Sequence, residues 1–208
     1  MCKQYEVDFA DDELKNWVLR YEGRGRNWPG STKVFPNHEA PVIRTHGTAR
    51  VVEGMHWGLT PWNKGRRWVV NFRHPLSQKW MILIENTRLR CIVPARAFAV
   101  RDKNSSPARL WWFERPDREP FFFAGVWTDW KGDRGTKRKP ADGDHRLFSI
   151  MTTDPNTVVH SVHDKAMPVM LMTREHIEQW LEGTIGEALA IQKPAPDEAI
   201  RLAIGVAA

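Results

Sequence analysis

The second residue of the chain is a cysteine, and the only other cysteine among 208 residues is Cys91. Methionine aminopeptidases accept a small second residue. Removal of Met1 leaves Cys2 with a free α-amine and a thiol on adjacent carbons. Their reference pKa values are about 7.7–8.0 and about 8.5, so both nucleophilic forms are accessible near neutrality. An N-terminal nucleophile can use its own amine as the local base. A 1,2-aminothiol has a further reaction open to it: condensation with an aldehyde to a five-membered thiazolidine. The competing reading of Cys2 is a small buried residue.

Three other stretches carry chemistry. In VHDKAMP, His163 stands beside Asp164 and three residues after His160. A histidine titrates nearest physiological pH and can relay a proton to a nucleophile or an imine. No third ligand is spaced to make the histidine pair a metal site. In VVNFRHP, Asn71 and Arg73 alternate along a predicted strand and share a face. An amide beside a guanidinium suits a phosphate or a carbonyl oxygen. In WGLTPW, Gly58 and Pro61 set a bend flanked by Trp57 and Trp62. These rings read either as a packed corner or as a platform for unstacked bases.

The elements that must position these groups are mostly strands. The patterns predict a helix over 11–21, two strands around a turn at His46-Gly47 within 41–58, and a short strand over 68–73. Residues 78–85 are ambiguous. A strand over 90–100 is expected to break at Pro94. Two more strands follow in ARLWWFE and PFFFAGVWTDW, then an exposed basic loop over 131–145 and a strand over 145–154. TREHIEQWLEG reads as a helix with Thr173 as N-cap and Gly183 at its end. From about 190 to 208 the chain is weakly patterned and expected to fray. With no linker and no repeat, residues 1–208 read as one α+β domain. Its mainly antiparallel sheet is expected to curl into a barrel-like core with a few flanking helices.

Composition narrows the partners. No apolar run approaches the ~20 residues of a membrane span, and the start lacks a signal-peptide core, so a soluble, cytoplasmic protein is expected. Two cysteines give no disulfide framework and no zinc pair. The net charge of +6 favours anionic partners, nucleic acid first. Several of the eleven tryptophans lie beside arginine or lysine, a composition that suits single-stranded nucleic acid.

In order along the chain, MC, NHEAP, WGLTPW, NFR, RCIVPA, FAGVW, MTTD and HDKAMP together resemble the SRAP family, the SOS response-associated peptidases or abasic-site processing proteins. The resemblance implies that Met1 is lost and that Cys2 bonds covalently to the ring-opened aldehyde of an abasic site in single-stranded DNA. The thiazolidine crosslink then shields the lesion. It implies Cys2, Asn71 and His163 as catalytic residues, and Arg73, Trp57, Trp62, Thr152, Pro41 and Lys165 as DNA contacts. It implies a monomer working on DNA at the nucleoid, with no cofactor and no metal.

The chain departs from the family pattern at two places. The glutamate that commonly follows RCxVP aligns with Val100, and the arginine of the common MCGRF start is Gln4. Glu6, Glu53, Glu85 and Asp102 are candidates to replace the carboxylate. Two other functions stay open on these residues: an N-terminal-nucleophile peptidase using Cys2 and His163, and a non-covalent single-stranded DNA-binding module.

Overall fold

The structure is a computed structural model that describes residues 2–8, 31–60, 68–102, 109–135 and 138–207, with side chains up to 203. The predicted helix over 11–21 and Trp62 lie outside the described residues. In chain order the strands are β1 (Gln4–Val7), β2 (Thr32–Val34), β3 (Glu39–His46), β4 (Ala49–Trp57), β5 (Asn71–Phe72), β6 (Arg90–Ala95), β7 (Ala97–Arg101), β8 (Arg109–Glu114), β9 (Phe121–Asp133), β10 (Asp142–Thr153), β11 (Met167–Pro168), β12 (Met170–Leu171) and β13 (Arg201–Ala207). The helices are α1 (Gln78–Glu85), α2 (Thr157–His160), α3 (Arg174–Glu182) and α4 (Ile185–Ala190).

Five strands close on themselves. β10 pairs with β4, β4 with β3, β3 with β6, β6 with β9, and β9 again with β10. All of these pairings are antiparallel except β10 with β4, which is parallel and closes the ring. The predicted hairpin is present: β3 and β4 pair from Glu39↔His56 to His46↔Ala49. Gly47 occupies the first position of the two-residue turn at φ 62°, where a glycine matches strand twist without strain. At Gly125 a side chain would lie 3.1 Å from the Cys91 Sγ and 3.1 Å from the Ser149 carbonyl. The barrel wall closes that tightly there.

A second sheet, ordered β13-β8-β7-β1-β2, leans on the barrel. The chain crosses between the two at Arg96, whose N–H donates to the Glu6 carbonyl at 2.8 Å. The strand therefore breaks at Arg96 and not at the expected Pro94. Pro94 pairs with Phe122 of β9, while β3 meets β6 only at Ile92 and Cys91, so no ladder donor is required of the proline. The core joining both layers includes Tyr5, Trp57, Phe98, Phe113, Phe121, Phe122, Phe123 and Phe148, all fully buried. Each such side chain taken out of water contributes about 1.5–3 kcal/mol.

Elsewhere the pattern is partly revised. The ambiguous 78–85 segment is helix α1, with Trp80 and Ile84 buried. The strand over 68–73 is confined to Asn71–Phe72. The 131–145 loop is largely hairpin: β9 and β10 pair out to Asp133↔Asp142. Thr173 caps α3 as expected, accepting from the His176 N–H at 3.1 Å. Beyond α4 with its Thr184–Glu187 capping box, the weakly patterned tail carries β13, which pairs with β8 in the second sheet.

Candidate active site around Cys2

Cys2 lies two residues before β1, and β1 is held between β2 and β7. Its side chain is 0% exposed. The thiol donates to the Gln4 carbonyl at 3.1 Å. Burial pushes the Cys2 thiol up to about 12, offset in part by backbone hydrogen bonds at Gln4 and Ala99 and by the positive chain terminus. With Met1 attached, Cys2 is therefore a neutral, shielded thiol at physiological pH.

The strand predicted to carry an amide and a guanidinium brings the amide to Cys2 and the guanidinium to the 163–165 turn. β5 is short because it pairs in parallel with β10 over only two positions, Asn71↔Ile150 and Phe72↔Met151. Asn71 is buried, and its Nδ2 donates to the Cys2 carbonyl at 2.6 Å. Its Oδ1 is buried with no hydrogen-bond partner. Arg73, at the exit of β5, donates through Nη1 to the Lys165 carbonyl and pairs through Nη2 with Asp154. His163 sits two residues before Lys165 and is 3% exposed. Its backbone N–H continues the turn of α2 onto the Val159 carbonyl at 2.8 Å. Asn156 fixes that turn, capping Val159 N–H at 3.0 Å and donating to the Ala195 carbonyl at 3.0 Å.

Three expected DNA contacts are packing residues. Trp57 is 0% exposed. Its indole N–H donates to the Val70 carbonyl at 2.8 Å, and its ring lies against Tyr5 and Phe148. No face is left for a base. Thr152 is fully buried and donates to the Phe72 carbonyl at 2.9 Å, tying β10 to β5. Pro41 is buried within β3, opposite Gly54. Lys165 is exposed.

Val100 is 0% exposed and belongs to the same core as Cys2, whereas its neighbours Ala97 and Ala99 face a second, smaller cluster. None of the four candidate carboxylates replaces a side chain there. Glu53 is held by Arg44 at 2.7 Å and by Arg146 at 2.7 Å, which keep its carboxyl below the usual range against the opposing effect of burial. Asp102 accepts from the Trp111 indole at 3.3 Å. Glu85 is exposed at the end of α1, and Glu6 points away from the core in β1. Among the described residues no cluster of histidine, cysteine and carboxylate side chains could hold a metal ion.

Two further residues, Tyr5 and Gln192, lie close to these groups. Tyr5 is fully buried with its hydroxyl unpartnered. Burial pushes its phenol well above 10, and the Cys2 and Cys91 thiols add to the shift. Its spacing from Cys2 was the available signal. Gln192, in the tail, donates through one amide nitrogen to the Arg73 carbonyl at 2.7 Å and the Thr152 carbonyl at 2.8 Å. It clamps the ends of β5 and β10, and nothing in its local sequence marks it.

Solved structures share this architecture. A Bordetella bronchiseptica protein superposes with a TM-score of 0.75 at 16% identity, covering 100% of this chain and 99% of that one. A Bacteroides thetaiotaomicron protein gives a TM-score of 0.70 at 20% identity, covering 95% and 90%. Among curated relatives, the abasic site processing protein YoaM of Bacillus subtilis (strain 168) is 26% identical over 194 residues, 87% of this chain and 79% of its own. YoqW of the same organism, also named an abasic site processing protein, is 29% identical over 192 residues, 87% of this chain and 80% of its own. The family model for the SOS response associated peptidase matches residues 1–204, nearly the whole length over which Cys2, β5 and the 163–165 turn are assembled. The chain belongs to the SRAP family.

Proposed function

We propose that this protein processes abasic sites by capturing them covalently. Once Met1 is gone, the Cys2 amine attacks the aldehyde of a ring-opened abasic sugar in single-stranded DNA and water leaves to give an imine. The thiol then adds across the C=N bond. Sulfur bonds to carbon, the thiol proton passes to nitrogen, and a thiazolidine closes. One aminothiol and one aldehyde yield one crosslink and one water.

The observation that supports this most is the 2.6 Å hydrogen bond from Asn71 to the Cys2 carbonyl. It fixes the residue that would bear both nucleophiles, and it does so by its backbone, leaving amine and thiol uncommitted to the amide. In this reading Asn71 orients Cys2, His163 relays protons during imine formation, and Arg73 receives a phosphate of the strand. Lys165, exposed beside it, adds to the positive rim. The relatives' names as abasic site processing proteins support the substrate class.

The test is a denaturing gel. Protein whose loss of Met1 is verified by mass spectrometry is incubated with single-stranded DNA containing one abasic site. A heat- and SDS-stable adduct is expected, absent with Cys2→Ala and with intact DNA. No adduct from wild type over hours would sink the reading. Protein made in cells lacking aminopeptidase addresses the peptidase alternative: self-removal of Met1 there would favour it.

A further inference from the structure

Arg73 is not waiting empty for its ligand. Its Nη2 is paired with Asp154, the residue that follows β10. The Asp154 side chain is 74% exposed and the Arg73 side chain 35%. Among the described residues Asp154 touches no second cation. Its carboxylate is therefore open to solvent, and a strand that reaches the Arg73 guanidinium from solution meets it.

We propose that Asp154 is an internal stand-in for a strand phosphate on Arg73, so that a phosphodiester must displace it to bind. This rests on the reading of Arg73 as a phosphate receptor. Two features fit displacement. A carboxylate and a phosphate oxygen compete for the same Nη2 donor, and an exposed ion pair contributes little, so exchange is easy. The rest of the arginine stays put when the carboxylate leaves. Nη1 remains on the Lys165 carbonyl, and Gln192 holds the Arg73 backbone at 2.7 Å. The receptor is thus preset in direction and occupied by a ligand it can exchange.

The consequence is selectivity. Each strand that lands on Arg73 must turn out Asp154, so reversible holding of undamaged DNA stays weak. Retention is then decided by bond formation at Cys2, which only an aldehyde permits. The freed carboxylate also takes up a cation from solution, so net ion release on binding is reduced.

Equilibrium binding of a labelled, undamaged single strand to Met1-free protein, measured across a salt series, tests this. The proteins are wild type, Asp154→Asn, Arg73→Ala and the double variant. Asp154→Asn is expected to tighten binding about two- to fivefold at low salt. It is also expected to steepen the log–log salt slope by about 0.7. In the Arg73→Ala background the same change is expected to do nothing, which separates displacement from a general gain of positive charge. Unchanged affinity and slope, weaker binding, or an equal gain without Arg73 would each overturn the proposal, as would a wild-type protein that binds no strand. Adduct formation with abasic DNA is read in parallel. Tighter Asp154→Asn binding with no adduct from any protein would uphold the displacement while rejecting covalent capture.

Discussion

Two buried polar centres in this molecule are treated in opposite ways. Arg90, 1% exposed at the start of β6, is held by three backbone carbonyls. Its Nε donates to the Ile84 carbonyl at 2.6 Å, and its Nη1 to Trp180 at 3.0 Å and Gly183 at 2.7 Å. It closes the C-terminal turns of α1 and α3 onto the barrel, where backbone carbonyls would otherwise lack donors. Around Cys2 the accounts are left open. Asn71 Oδ1 and the Tyr5 hydroxyl are buried without partners, and the thiol is held neutral by burial. A buried polar atom without a partner costs about 1–3 kcal/mol. Arg90 is satisfied by the carbonyls it closes, whereas Asn71 and Tyr5 each keep a polar atom without a partner close to Cys2.

That contrast can be broken most forcefully at Arg90. Arg90→Leu strands three carbonyls and is expected to cost about 3–5 kcal/mol. The midpoint of thermal unfolding should fall by roughly 6–20 °C. Adduct yield per folded molecule in the cold should be unchanged. Loss of capture in a protein that is still folded would merge the two centres into one.

Val100→Glu reverses the balance on the other side. It puts a carboxylate into the core that holds Cys2, and adduct formation should accelerate about 100-fold. Stability should drop by about 1–3 kcal/mol, because the position is fully buried. Rates on abasic DNA and urea midpoints check the two halves. A slower variant would mean that this chain has replaced the carboxylate elsewhere.

Alkali separates the centres by titration. The folded pKa of Cys2 is pushed up to about 12 and that of Cys91 is also raised, while an unfolded thiol ionises near 8.5. Below that pH both states hold the proton and the contribution is intact. Above it the unfolded chain sheds protons first. Stability then falls by about 1.4 kcal/mol per pH unit for each thiol until the folded pKa is reached. Unfolding midpoints between pH 9 and 11 should show a shallower decline in Cys91→Ala. The carbonyls around Arg90 do not titrate and add no slope.

The gentlest probe is Asn71→Ala. It removes one hydrogen bond and should cost about 1 kcal/mol of stability. Capture should slow about tenfold, an effect of the size associated with a misplaced reactant. Equal rates in single-turnover assays would show that Asn71 merely packs.

Local signals were read well from the sequence and long-range ones poorly. The His46-Gly47 turn and the α3 helix carry their instructions within a few residues, in a glycine and in a capped apolar stripe. Asn71 stands out in the sequence because an alternating amide and guanidinium in a short strand is unusual, and its amide meets the Cys2 carbonyl. Trp57 misled because a ring beside basic residues looks the same whether it faces solvent or Phe148. The tail shows little pattern of its own because β13 is stabilised by β8, about ninety residues earlier, with which it pairs from Arg201↔Glu114. Asp154 drew no attention because its meaning comes from Arg73, 81 residues away.

The burial of Cys2 also sets a clock. An enzyme that trims the first residue needs the chain end in the open, yet in the finished fold position 2 is wholly enclosed. Its enclosure depends on β7, at residues 97–101, which leaves the ribosome long after the start does. On the capture reading proposed above, trimming of Met1 is expected while the chain is still being made, before β7 emerges to enclose position 2.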